Sequence, residues 1–253
     1  MLQQERHQKI LARLQLEGQV KVKELSQEYG VTEDCIRKDL TALEKEGLLK
    51  RVHGGATHIR QNLHMLNVHE RLSVHSPEKK IIARKAVELI EPGSMIFLDI
   101  STINLEIAKI IYEKNTNITV VTNMIDIMNV FTHDSRVRLV FLGGELNQAR
   151  DGFLGAMTIE QIKMYQFDMA FLGVVGINAY DGKITTYDMN DGLTKKEVIR
   201  SSKACYIVCE KAKFSLDGNY VFGHVGDVSG YICEGELDVN IEKRMLEYGV
   251  EII

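Results

Sequence analysis

At 253 residues the chain is long enough for one large domain, or for a small domain joined to a medium one. Its 31 Lys/Arg against 35 Asp/Glu leave a net charge of −4, which argues against a nonspecific nucleic-acid organiser. Cys35, Cys205, Cys209 and Cys233 have neither metal-ligand spacing nor the look of a disulfide framework, and no long apolar span or signal peptide is evident. The expectation is a cytoplasmic protein with no metal, no cofactor and no membrane partner.

From the start of the chain, Gln3 to Glu17 carries Ile10, Leu11 and Leu14 at helical spacing and predicts a first helix. Val22, Leu25 and Tyr29 share one side of a short second helix, which Gly30-Val31 breaks. Thr32 is a good N-cap for a third helix, Glu33 and Asp34 suit its positive end, and Ile36, Leu40 and Leu43 form its apolar stripe. Beyond Gly47, Leu48 to His53 is strand-like and runs into Gly54-Gly55, a hairpin signal.

Three helices and a basic hairpin over residues 1–60 describe a winged helix-turn-helix, whose third helix enters a major groove. The bland alternative is an amphipathic helix pair with a solvated charged face. The common register of Gly30, Thr32 and Gly54-Gly55 favours a reader of double-stranded operator DNA. Arg37 and Lys38 project from the face opposite Ile36 and Leu40, towards base edges or phosphates. Arg51 and His53 stand at the wing. The full set of expected DNA contacts is Arg6, Thr32, Cys35, Arg37, Lys38, Arg51, His53 and Gly54. Residues 1–60 hold 11 Lys/Arg against 9 Asp/Glu, and the remainder 20 against 26. So weakly basic a reader fits a site-specific factor working as a homodimer or homotetramer.

The stretch Arg6 to Ala56 resembles the N-terminal domain of the DeoR-type bacterial transcriptional repressors. Their signature joins "TIRRDL" to "RxHGGA"; here these stand as Cys35-Ile36-Arg37-Lys38-Asp39-Leu40 and Arg51-Val52-His53-Gly54-Gly55-Ala56. Cys35 replaces a threonine. Lys38 replaces an arginine, keeping the charge and losing the bidentate fork, so the operator sequence cannot be borrowed from relatives.

Residues 61–76 read as a linker. Glu78 to Ile90 predicts a helix stopped by Pro92-Gly93. Short apolar strands then alternate with helices: Met95 to Leu98, Ile118 to Val121, Arg138 to Leu142, Met169 to Leu172, Cys205 to Val208, Tyr231 to Cys233 and Val250 to Ile253. This rhythm means a mostly parallel α/β sheet over residues 77–253, with ligands at the carboxyl ends of its strands. Those ends offer Asp99-Ile100-Ser101-Thr102, Thr122-Asn123, Gly143-Gly144, Gly173 to Gly176 and Glu210 to Phe214. Small and hydroxylated residues before helix N-termini suit an anion, and lysines neutralise it.

This second part resembles the DeoR-type sensor domain, which is similar to the ribose-5-phosphate isomerase and glucosamine-6-phosphate deaminase folds. The marks include Glu70-Arg71, Glu78-Lys79, Thr122-Asn123, Gly143-Gly144, Gly152-Phe153-Leu154-Gly155, Gly173 through Gly176-Ile177, and Lys213-Phe214. The resemblance implies a phosphorylated sugar or related metabolite as effector. Its expected contacts are Lys79, Asp99, Ser101, Thr102, Asn123, Gly143, Gly144, Asp151, Gly173, Gly176, Lys195 and Lys213. For Lys79 and Lys195 the competing reading is a solvated helix face; for Asp99 and Asp151 it is a turn or cap. The usual "DxGTT" loop here reads Asp99-Ile100-Ser101-Thr102-Ile103, and "DxSKF" reads Glu210-Lys211-Ala212-Lys213-Phe214. A Cβ therefore stands where glycine permits close backbone approach.

The leading reading is a transcriptional regulator, a repressor of a carbohydrate-utilisation operon, and not an enzyme. The runner-up is a sugar-phosphate isomerase or deaminase with an accessory DNA domain, with Glu145, Asp168 and Glu210 as the acids to try as its base.

Overall fold

The computed structural model describes residues 2–57, 76–132 and 135–253, and within it the chain divides into two compact units. The expected linker 61–76 lies outside the described residues except for Ser76, as does the Glu70-Arg71 mark.

The first unit runs α1 (Gln3–Glu17), β1 (Gln19–Lys21), α2 (Val22–Tyr29), α3 (Glu33–Lys45), β2 (Lys50–Val52) and β3 (Gly55–Thr57). Ile10, Leu14, Val22, Leu25, Ile36, Leu40, Leu43 and Leu49 pack into one core, which is why the apolar spacing of three short helices is retained. Gly30 ends α2 in the left-handed conformation at φ 64°. The Thr32 hydroxyl accepts the Cys35 N–H and opens α3.

The wing departs from expectation in two ways. Its sheet has the order β1-β3-β2, so the three-residue β1, too short to carry a periodic signal, supplies an edge. The turn is His53-Gly54, not Gly54-Gly55, because Gly55 already pairs with Val52 and Lys21. A Cβ on Gly55 would stand 1.9 Å from the Val20 carbonyl oxygen, so this glycine serves strand approach and not the turn.

The second unit opens with α4 (Ser76–Glu88), β4 (Met95–Leu98), α5 (Thr102–Lys114), β5 (Thr119–Thr122), α6 (Ile125–Val130) and β6 (Arg138–Phe141). It continues through β7 (Glu145–Leu146), β8 (Phe153–Leu154), α7 (Ala156–Ile162), β9 (Phe167–Leu172), β10 (Gly176–Asn178), β11 (Lys183–Thr186) and α8 (Met189–Arg200). The last elements are β12 (Ser202–Val208), a 3₁₀ turn at Lys211–Ser215, β13 (Tyr220–His224), a 3₁₀ turn at Val225–Asp227, β14 (Gly230–Ile232), α9 (Val239–Glu247) and β15 (Glu251–Ile252).

Seven strands form one sheet in the order β15-β14-β12-β9-β4-β5-β6, and every pairing in it is parallel. Ile96, Leu98, Val120, Phe171, Val208 and Ile232 share a core with Ile82 of α4 and Ile103, Ile107 and Ile111 of α5. From β4 the chain winds outward through β5 and β6, then returns to β9 on the other side of β4 and winds the opposite way. The switch point thus falls between β4 and β9, the place in such a sheet where ligands bind off the carboxyl ends of the strands. Two small antiparallel groups, β10-β11-β13 and the β7-β8 hairpin, were absent from the sequence reading. Their strands are only two to five residues long, too brief for alternation to reveal them.

Candidate functional site

On the first unit, Arg37 and Lys38 are exposed on α3. The Arg37 guanidinium donates to Glu33 Oε2 at 2.6 Å and to Asp34 Oδ1 at 2.7 Å, both in the first turn of its own helix. Such exposed pairs are worth roughly 0–1 kcal/mol, so a guanine edge or phosphate can displace them. Arg51 is fixed against the same helix: its N–H donates to Glu44 Oε1 at 2.8 Å and its guanidinium to Thr41 Oγ1 at 2.9 Å. The wing strand is thereby tied to α3, with His53 and Gly54 exposed at its tip and Cys35 half-buried on the helix.

Arg6 stands otherwise than expected. It is 7% exposed, and its guanidinium forks onto buried Asp39, Nε at 2.5 Å and Nη2 at 3.0 Å. It holds α1 to α3 instead of facing solvent. Asp39 was missed as a functional residue, although a carboxylate sitting between Ile36, Leu40 and Leu43 is a visible signal of a buried pair.

On the second unit, the carboxyl ends of β4 and β9 meet through Asp99. Its Oδ2 accepts the Gly173 N–H at 3.1 Å and lies 2.9 Å from Lys195 Nζ. Lys195 Nζ also donates to Asp191 Oδ1 at 2.5 Å, and Asp191 Oδ2 accepts the Thr186 hydroxyl at 2.6 Å. Asn104 joins the two strand ends by donating to the carbonyls of Asp99 and Phe171. Asp99 Oδ1 has no hydrogen-bond partner among the described residues.

Burial raises the Asp99 carboxyl above its ordinary value, against the pull of Lys195. Burial alone would lower Lys195, but Asp191 and Asp99 outweigh it and hold its ammonium above the usual lysine value. The solvated-face reading of Lys195 is therefore wrong: it is 2% exposed between two carboxylates. Lys79 is likewise buried, 3.9 Å from Glu210 Oε1.

Ser101 caps α5 by accepting the Asn104 N–H at 3.1 Å, and Thr102 begins that helix, buried. Asn123 donates to the Phe153 carbonyl while its own Oδ1 has no hydrogen-bond partner among the described residues. The Gly143 carbonyl accepts from Thr158 and Gln161, and Gly144 follows it exposed. Asp151 is buried and bonds Asn147 at 2.6 Å within the loop between β7 and β8, and Gly176 is buried at the start of β10. Lys213 lies half-buried in the 3₁₀ turn, its N–H donating to the Glu210 carbonyl.

The structure therefore joins Asp99, Ser101, Gly173 and Lys195 directly at the switch point. Lys79 and Lys213 gather at Glu210 beyond β12; Asn123, Gly143 and Gly144 follow β5 and β6 on the other side. Asp191, Thr186 and Asn104 complete the central network and were missed, because their signals are single residues in elements that the sequence left vague. Beside it, a cleft of about 220 Å³ is lined by Ile100, Asn147, Tyr187, Asp188, Asn190 and Asp191, among others. Of the acids considered for an enzyme, Asp168 lies in β9 before its carboxyl end, bound to Lys203 and the Met95 N–H, and these hold it below its ordinary value. Glu145 is exposed on β7, and Glu210 faces Lys79.

The family model described as the DeoR-like helix-turn-helix domain matches residues 6–62, and that described as the DeoR C terminal sensor domain matches residues 74–234. The chain belongs to the DeoR family. It is a DNA-binding transcriptional regulator built as a helix-turn-helix unit and an α/β sensor unit. This DeoR-family chain is 28% identical over 252 residues to the glycerol-3-phosphate regulon repressor of Escherichia coli (strain K12), spanning 100% of this chain and 99% of that one. It is 29% identical over 216 residues to the lactose phosphotransferase system repressor of Lactococcus lactis subsp. lactis, spanning 85% and 84%. Among solved structures, ribose 5-phosphate isomerase A of Methanocaldococcus jannaschii aligns with 53% of this chain and 52% of that one at TM-score 0.39 and 15% identity, a level at which no activity is carried across. Among the described residues of this DeoR-family regulator, no helix is long and apolar enough to cross a membrane.

Proposed function

We propose that this regulator represses a carbohydrate-utilisation operon and leaves its operator when a phosphorylated sugar, or a closely related metabolite, binds the second unit. The observation that carries the reading is the buried Asp99–Lys195–Asp191 network at the β4/β9 switch point, beside the capped start of α5. A polar network of this kind, with one carboxylate oxygen left over, suits a ligand rich in hydroxyl donors. The two relatives are named as a glycerol-3-phosphate regulon repressor and a lactose phosphotransferase system repressor, which supports a small phosphorylated carbon source as the signal.

In this proposal residues 1–60 read DNA, 61–76 link, and 77–253 sense. Arg37 and Lys38 face the groove, while Arg51, His53 and Gly54 meet phosphate. The effector spans the strand-end crevice from Ser101 and Thr102 towards Lys213. A homodimer or homotetramer brings two readers to a repeated site. The sensor turns nothing over: Asp168 is held by Lys203 and the Met95 N–H and Glu210 faces Lys79, while Glu145 is an exposed acid on the wall of the cleft it shares with Asp191.

The test has two arms. Purified full chain is titrated with a panel of sugar phosphates by thermal shift, and the same compounds are added to operator complexes in a gel shift. A compound that raises the melting temperature, releases DNA and is recovered unchanged supports the reading. Turnover of that compound overturns it in favour of the enzyme.

A further inference from the structure

We infer that Asp39, gripped from behind by Arg6 and His7, is a positioning residue for DNA reading: the clamp sets how α3 presents Arg37 and Lys38, and Arg6 itself touches no DNA. The inference rests on the reading of α3 as the recognition helix.

Three observations carry it. First, Asp39 is 1% exposed, yet it lies two residues from Arg37 and next to Lys38, both of which are exposed. It therefore occupies the inner face of the helix whose outer face carries the cations. Second, its two carboxylate oxygens are both engaged from α1. Arg6 Nε meets Oδ2 at 2.5 Å, Arg6 Nη2 meets Oδ1 at 3.0 Å, and His7 Nε2 lies 3.1 Å from Oδ1. A forked guanidinium fixes orientation as well as distance, because two parallel bonds allow no rotation of the carboxylate. Third, the core that α1 and α3 share is built of aliphatic side chains such as Ile10, Leu14, Ile36 and Leu40. Aliphatic contacts resist separation but are non-directional, so they tolerate small rotations and slides of one helix on another. Direct readout needs a side chain placed to hydrogen-bond tolerance at a base edge. The fork on Asp39 gives that interface a direction that its aliphatic contacts do not.

A positioning role and a phosphate-contact role for Arg6 differ in their salt dependence. Each phosphate contact contributes about 0.9 to the slope of log affinity against log salt. A clamp contributes nothing to that slope. It acts on the enriched sequence and leaves the electrostatic attraction to any duplex unchanged.

The experiment uses full-length protein, a duplex that wild type enriches from random-sequence DNA, and an unrelated duplex of equal length. Arg6→Lys keeps the charge and removes the fork. The expected result is about a tenfold loss on the enriched duplex, on the scale of one base contact. Affinity for the unrelated duplex and the salt slope should both stay at wild-type values. Asp39→Asn keeps the volume and one acceptor oxygen, is measured in parallel, and decides the matter on the same readouts if Arg6→Lys does not fold. Arg6→Gln, run beside them, removes the charge as well as the fork: a slope reduced by about 0.9, with both duplexes weakened alike, makes Arg6 a phosphate contact and overturns the inference. Wild-type discrimination in a folded variant overturns it equally. If wild type enriches no duplex, it is the DNA reading itself that fails, before any variant is made.

Discussion

Gly173 lies directly against Ser101: a Cβ built on Gly173 would stand 2.6 Å from the Ser101 Cβ, while the Gly173 N–H donates to Asp99 Oδ2 at 3.1 Å. The residue that departs from the family loop is thus accommodated by the absence of a side chain on the neighbouring strand end. Ser101 itself has φ −154°, an extended conformation open to any residue, so the serine adds no backbone strain.

Compensation between these two positions is the first expectation. Gly173→Ala should destabilise the sensor by about 1–3 kcal/mol, the usual cost of overpacking. Adding Ser101→Gly removes the obstructing Cβ and costs only a few tenths of a kcal/mol as a cap change. The double variant should therefore regain most of the loss. Urea unfolding of the four proteins gives the coupling directly, and simple additivity of the two changes would show that the side chains do not collide.

Lys195→Met leaves Asp99 and Asp191 buried without their shared cation. Stability near pH 7 should fall by about 3–5 kcal/mol, as when one partner of a buried pair is removed. The deficit should shrink on acidification, because protonating the carboxylates removes the uncompensated charge. In wild type, the raised Lys195 value means that its stabilising contribution is complete below the ordinary lysine value of 10.5 and is lost as pH rises through the folded value. Melting temperatures across pH for both proteins test the two signs together. A deficit that grows on acidification would contradict the pairing.

Arg37→Ala should leave folding intact and weaken specific operator binding by about 1–3 kcal/mol, the worth of a base contact. The side chain is exposed and its ion-pair partners Glu33 and Asp34 are in its own helix, so its loss does not unpin α3 from the core. Gel shift at fixed salt is sufficient, and unchanged operator affinity would remove Arg37 from the reading face.

Glu33→Gln with Asp34→Asn frees the Arg37 guanidinium and removes two negative charges from the start of α3. Affinity for unrelated DNA should rise several-fold at low salt, and the ratio of specific to unrelated binding should fall. Measuring both duplexes over a salt series checks this; a higher ratio would assign the two acids to the operator contact instead.

Lys213→Ala should abolish effector-triggered release while preserving operator affinity, since Lys213 belongs to the sensor unit and follows β12 in the turn that Glu210 opens. Calorimetric titration of the inducer against wild type and variant is the measurement. Equal affinity in the two would move the ligand away from this end of the crevice.

The sequence by itself determined what local chemistry determines. The Thr32 cap, the Gly30 break and the stripe Ile36, Leu40, Leu43 depend on neighbours within a turn or two, and they define α3 wherever it packs. Apolar runs such as Met95–Leu98 and Thr119–Thr122 declare a buried parallel sheet through composition alone. Tertiary structure decided the partners. Arg6 reads as a surface cation until Asp39, 33 residues away, is brought beneath it. Lys195 sits in the run Thr194-Lys195-Lys196, where only its neighbour's exposure distinguishes a solvated lysine from a buried one. Alternating strands and helices do not reveal that β9 returns beside β4, so the switch point and its Asp99–Lys195–Asp191 network were invisible until strand order was known. The physical reason is range: caps and periodicity act between residues adjacent along the chain, whereas the stability of a buried charge depends on a counter-charge that only the folded chain delivers.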